Sequence, residues 1–119
     1  MKIRFALFVI IAALFAASCS IISQTNDAPR LALSSIFAGH PTASSATITW
    51  NSNREADSQV EYGETTSYGR TTPKDDTLTS SHSVNLTKLK PYTIYHYRVI
   101  SYIDGTIVFS PDQTLLTEM

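Results

Sequence analysis

The run "LKPYTIYHYRV", Leu89 to Val99, brings three tyrosines, His96 and Arg98 together within eleven residues. Imidazole, phenol and guanidinium are the groups from which proton relays and metal sites are assembled. The other residues capable of chemistry are His40, His82, the Asp75-Asp76 pair in "PKDDTLTS" and the single cysteine, Cys19. None of the three histidines has a second His or a Cys at i+2 or i+4, so they are expected as strand-face or loop residues rather than metal ligands. Asp75 and Asp76 lack the alternating oxygen ligands of a calcium loop and are expected in a solvated loop. Serine and threonine are abundant, but there is no G-x-S-x-G elbow to expose a nucleophile on a sharp strand-to-helix turn. The expectation is that the chain has no catalytic residue, no metal and no cofactor.

These residues sit on a chain that, from position 31 onward, alternates apolar and polar residues in short runs broken by turn formers, with no helical period. That pattern predicts strands near 33–39, 45–51, 58–63, 68–72, 81–87, 93–103 and 106–117, an all-β sandwich of seven strands. In "SATITWN", Ala46, Ile48 and Trp50 share one face; in "SQVEYG", Val60 and Tyr62 point inward; in "SHSVNL", Val84 and Leu86 do the same. Asp104-Gly105 marks a two-residue hairpin. In the sixth strand Tyr95, Tyr97 and Val99 share one face and Ile94, His96, Arg98 and Ile100 the other, because strand side chains alternate. Tyr62, Tyr95 and Tyr97 are therefore expected as core, not as an aromatic cage for a sugar or cation.

The first residues, "MKIRFALFVIIAALFAASCS", combine a basic start with an apolar run from Phe5 to Ala17 and small residues before Cys19. This is the pattern of a secretory signal, and a run of 13 residues falls short of the roughly 20 that span a bilayer. Residues 1–18 are read as a signal peptide, 19–30 as a polar tether and 31–119 as the folded domain. Ala16-Ala17-Ser18-Cys19 resembles a bacterial lipobox, which implies a lipid on Cys19 and attachment to a membrane through it. Ordinary signal cleavage near Ala17 or Ser18 is the alternative. Two or three acyl chains would anchor the protein stably where one binds marginally. Ser20 after the cysteine, by resemblance to lipoproteins, implies the outer membrane where there is one. The sequon Asn85-Leu86-Thr87 would matter only in a eukaryotic secretory pathway.

With nine basic and ten acidic residues in 119, and the basic ones scattered, there is no stripe for phosphate contacts and no nucleic-acid partner is expected. About 100 residues after the signal suffice for one domain with its own hydrophobic core.

Trp50 on the second strand, followed by Leu89, Pro91, Thr93 and Tyr95 in the spacing L-x-P-x-T-x-Y, resembles an immunoglobulin-like fibronectin type III domain. In such sandwiches a tyrosine at the start of the sixth strand bonds back to the preceding turn. "VEYG" (Val60 to Gly63) and "HSVNLTKLKPYTIYHYRV" (His82 to Val99) are similar, more narrowly, to the N-terminal fibronectin-like domain of purple acid phosphatases. The resemblance runs from about Ser45 to Thr117 and departs at Lys88, where that family usually has Gly, so the turn is expected to take another conformation. In those phosphatases the two-metal centre lies in a separate domain, for which no room is expected before Met119. Taken together with the signal segment, the expectation is a non-catalytic, exported module that binds an envelope protein or glycan, or acts as a spacer. The alternative is an accessory domain of a metallophosphoesterase system. The outward residues Ile94, His96, Arg98, Ile100 and Tyr102, with Gln59 and Glu61 expected beside them on the third strand, form the candidate interaction face, rich in the aromatic and Arg types of binding hot spots.

Overall fold

The computed structural model describes residues 29–119. The signal segment, Cys19 and the tether up to residue 28 lie outside the described residues.

Seven strands follow one another: β1 (Leu33–Gly39), β2 (Ala46–Gly63), β3 (Arg70–Thr71), β4 (Asp75–Leu86), β5 (Ile94–Ile103), β6 (Thr106–Phe109) and β7 (Gln113–Leu116). All pairings are antiparallel and no helix occurs among the described residues. The all-β, seven-stranded sandwich expected from the alternation is present. The strand count is reached by a different division of the chain.

The runs expected at 45–51 and 58–63 are two halves of the 18-residue β2, which belongs to both layers. Its first half pairs with β1 (Ile48 opposite Ala38) and with β4 (Trp50 opposite His82). Its last residues pair with β5 (Glu61 opposite Arg98) and with β3 (Tyr62 opposite Arg70). Between the halves the β2–β4 register slips twice, from Asn51 to Ala56 and from Ala56 to Ser58. Such irregularities bend a strand and increase its twist, which carries β2 from one layer to the other. The last expected strand, 106–117, splits instead. Pro111 lacks an N–H and stops the ladder. On either side of it β6 pairs with the end of β5 and β7 with its beginning.

Period-two alternation fills the space between the layers. Ala46, Ile48 and Trp50 from the first half of β2 and Leu86 from β4 meet Val60, Tyr62, Tyr95, Tyr97, Val99 and Leu115 from the other layer. The tyrosines expected as core are core. Asp104 and Gly105 both take positive φ, 49° and 80°, as the tight hairpin between β5 and β6 requires.

Candidate functional site

The turn before β5 fixes where that strand begins, and so which of its residues face out. Tyr95 is 2% exposed, and its hydroxyl accepts a hydrogen bond from the Lys90 amide at 2.9 Å, the tyrosine corner expected from the L-x-P-x-T-x-Y spacing. Lys88, where a different turn was expected, has φ 57°. It therefore occupies the left-handed region that favours glycine, where a residue with a Cβ carries strain. Arg70 reaches over from β3, donating to the carbonyls of Thr87 (3.2 Å) and Lys88 (3.4 Å) with its guanidinium 4.7 Å from the centre of the Tyr62 ring. Thr117, a residue that alternation alone does not single out, closes the corner. Its buried hydroxyl accepts from the Thr93 amide at 2.8 Å and donates to the Lys90 carbonyl at 2.7 Å.

With β5 so placed, Ile94, His96, Arg98 and Tyr102 lie on its outer face, Ile94 and Tyr102 exposed and His96 and Arg98 half-buried. Ile100 does not belong to an accessible face: it is 6% exposed. Its side chain has the outward parity, but Ile100 sits mid-sheet directly between Gln59 of β2 and Phe109 of β6, whose side chains shield it from both sides. The expected placement of Gln59 and Glu61 beside β5 holds.

The residues that complete the face come from loops and from β6. Glu61 accepts from Arg98 Nε, and the Arg98 guanidinium lies 4.3 Å from the Phe109 ring centre and 5.2 Å from that of Tyr68. Paired and stacked, the guanidinium is held against an aromatic surface. Asp112, just past Pro111, accepts from His96 Nδ1 at 2.8 Å and from the Tyr68 hydroxyl at 2.9 Å. The bond from His96 holds the Asp112 carboxyl below its ordinary value. Burial, and then Asp112, hold the Tyr68 phenol above its own. At the far end Lys74 lies 5.2 Å from the Tyr102 ring centre. Tyr68 and Asp112 escape sequence reasoning because they reach the face through a positive-φ loop residue (Tyr68, φ 62°) and a proline break, not through alternation, whereas Phe109 arrives on β6 opposite Ile100.

A second cluster lies inside the sandwich and superficially has the composition of a hydrolytic site. His82 is 3% exposed and stacks on Trp50, ring centres 4.8 Å apart and planes 3° from parallel. Its Nε2 is 2.7 Å from Ser52 Oγ and its Nδ1 2.7 Å from Ser58 Oγ. Asp57 does not orient the ring. Its carboxylate accepts from the Tyr102 amide at 2.8 Å and faces Lys74 Nζ at 3.5 Å. With both ring nitrogens occupied by hydroxyls and no access for substrate, the arrangement is a satisfied buried network. The signal for it was the parity of His82 with Val84 and Leu86.

The remaining candidates stay apart. His40 is exposed with φ 45°; Asp75 and Asp76, expected in a loop, instead open β4 while remaining exposed, and Asp75 accepts from the Thr77 amide at 3.0 Å, which lowers its carboxyl. Among the described residues no three His, Cys, Asp or Glu side chains converge as a metal site.

No curated protein matches the sequence. Among solved structures, the sensor domain of the anti-sigma factor RsgI4 from Pseudobacteroides cellulosolvens is similar at 19% identity and a TM-score of 0.56, covering 77% of this chain and 98% of that one. A redesigned β-sandwich protein is similar at 23% identity and a TM-score of 0.56 over 76% of this chain and 92% of that one. PhoD matches at 15% identity and a TM-score of 0.54, over 69% of this chain but only 18% of its own length. At these identities the likeness is one of fold. Residues 34–117 match the family described as "Purple acid Phosphatase, N-terminal domain", and with its Trp50 core and Tyr95 corner in place the chain belongs to that family.

Proposed function

We propose that the chain is an exported, non-catalytic interaction or spacer module, anchored by a lipid on Cys19 at the bacterial envelope, in the outer membrane where there is one. The observation that carries the interaction role is the solvent face of the β5 layer, where Arg98 is held by Glu61 and stacked on Phe109 and Tyr68. A guanidinium fixed in advance against aromatic rings loses little freedom on binding, and aromatic and Arg residues dominate binding hot spots. An envelope protein or glycan is the partner this face suits.

The test pairs Arg98→Ala with Phe109→Ala in the full chain and compares capture from envelope extract by quantitative mass spectrometry, with thermal unfolding as a check on the fold. Loss of a specific partner from a folded variant is expected. Undiminished capture eliminates the face.

The match to a phosphatase N-terminal domain and the likeness to one part of PhoD favour a second reading, an accessory domain working beside a metallophosphoesterase. On the first reading the purified chain hydrolyses no phosphate ester and retains no stoichiometric iron, zinc or manganese through gel filtration. Co-purification with a metallophosphoesterase would favour the second.

A further inference from the structure

The segment of β2 that passes between the layers is bracketed by Ser52 and Ser58, and the imidazole of His82 spans the two hydroxyls. The Ser52 hydroxyl donates to the Arg54 carbonyl at 2.7 Å, so its oxygen receives a hydrogen from the ring rather than giving one. Nε2 therefore carries the proton, and Nδ1 accepts from the Ser58 hydroxyl. The neutral ring satisfies both serines at once, across the place where the β2–β4 register slips.

We propose that His82 is an acid-sensitive latch, which in its neutral form pins the β2 crossover to β4 and on protonation releases residues 52–58 together with the 75–81 half of β4. A proton added to Nδ1 turns that nitrogen into a donor to the Ser58 oxygen, leaves the Ser58 O–H without its acceptor and places a charge at a site that is 3% exposed. Around the ring, Asp57 of β2 is the charge that favours protonation, and it is already engaged by the Tyr102 amide and Lys74. The inward residues of β5 are uncharged, those of β4 beyond His82 are Val84 and Leu86, and Arg54 is paired with Asp104 at 3.6 Å. Burial accordingly pushes the His82 imidazole below its ordinary value, against the opposing pull of Asp57. The folded form thus binds its proton less readily than the open form. The latch holds fully above the ordinary imidazole value of about 6.5 and weakens as pH falls from there through the lowered folded value. Because Asp57 also fixes the Tyr102 amide, release reaches the end of β5 where Tyr102 and Lys74 meet.

Amide hydrogen exchange of the full chain in detergent, corrected for intrinsic rates, tests this between pH 7.5 and pH 5. Opening of 52–58 and 75–81 should rise by up to about tenfold per pH unit below 6.5, since opening takes up one proton, while the core of β5 stays protected. His82→Gln, which cannot titrate, should remove that pH dependence. Equal pH dependence in His82→Gln, or none in the wild type, overturns the latch. A second measurement does not depend on the variant folding: at about pH 6.5, where a free imidazole is about half protonated, ring-nitrogen NMR of wild-type His82 should show mainly the neutral Nε2–H tautomer. A ring that is mainly imidazolium at that pH overturns the proposal.

Discussion

The Tyr95 hydroxyl and the Lys90 amide, five residues apart, meet at 2.9 Å, and this bond ties the turn from β4 to the first residues of β5. The group that depends on the tyrosine is a backbone donor. Tyr95→Phe keeps the ring in the core and leaves the Lys90 N–H without its partner, an expected loss of about 1–3 kcal/mol. Chemical denaturation of the two proteins measures it, and coincident curves would mean that water replaces the hydroxyl at no cost.

Lys88 holds a positive φ of 57° in the same turn. A left-handed residue with a Cβ carries roughly 1–2 kcal/mol of strain, part of which Lys88→Gly should relieve. Because glycine also gains freedom in the unfolded chain, the expected net gain is about 0.5–1 kcal/mol. Arg70 bonds only the backbone here and should be unaffected. Thermal unfolding should show a midpoint raised by a few degrees; a lowered midpoint would assign the lysine side chain a stabilising role.

Gly63 closes β2 where the backbone of Tyr68 passes directly beside it. A Cβ at position 63 would lie 1.6 Å from the Tyr68 carbonyl oxygen, so Gly63→Ala must displace the turn. Overpacking of this kind costs about 1–3 kcal/mol. Displacement of Tyr68 should also loosen its bond to Asp112, detectable as a lowered Tyr68 phenol titration alongside the lower melting temperature. An unchanged phenol titration would show that the turn yields without moving the ring.

The proposed lipidation is tested at Cys19. In a bacterial host the mature protein should begin at this residue, carry a thioether-linked diacylglycerol and partition into detergent, and Cys19→Ala should leave it in the aqueous phase. Intact mass spectrometry reads the modification, and a free thiol in the wild type excludes it.

The β-sandwich was legible because period-two alternation is local: "SATITWN" and "TIYHYRV" each orient their own side chains whatever they pair with. The tyrosine corner was legible for a similar reason, its two ends being five residues apart. The adjacency of Glu61 and Arg98 followed from strand order in the resembling family.

The accessible part of the face was not legible, because parity says which way a side chain points and nothing about what lies over it. Ile100 and Tyr102 share a parity, yet one is covered between Gln59 and Phe109 and the other is exposed. Tyr68 and Asp112 lie 44 residues apart and meet only because a positive-φ turn and Pro111 deliver both to one point.

By itself, then, the sequence determined the alternating strands, the Asp104-Gly105 hairpin, the turn that starts β5 and the inward side chains of the core, all of which depend on contacts within a few residues or on periodicity. Tertiary structure alone decided that one 18-residue strand serves both layers, that His82 sits between Ser52 and Ser58, and that Arg98 rests on Phe109 and Tyr68. The first two depend on where β2 slips its register against β4 and crosses between the layers, the third on the pairing of β6 with β5 and the turn that carries Tyr68. That is settled by the packing of distant segments around Trp50, which no local pattern encodes.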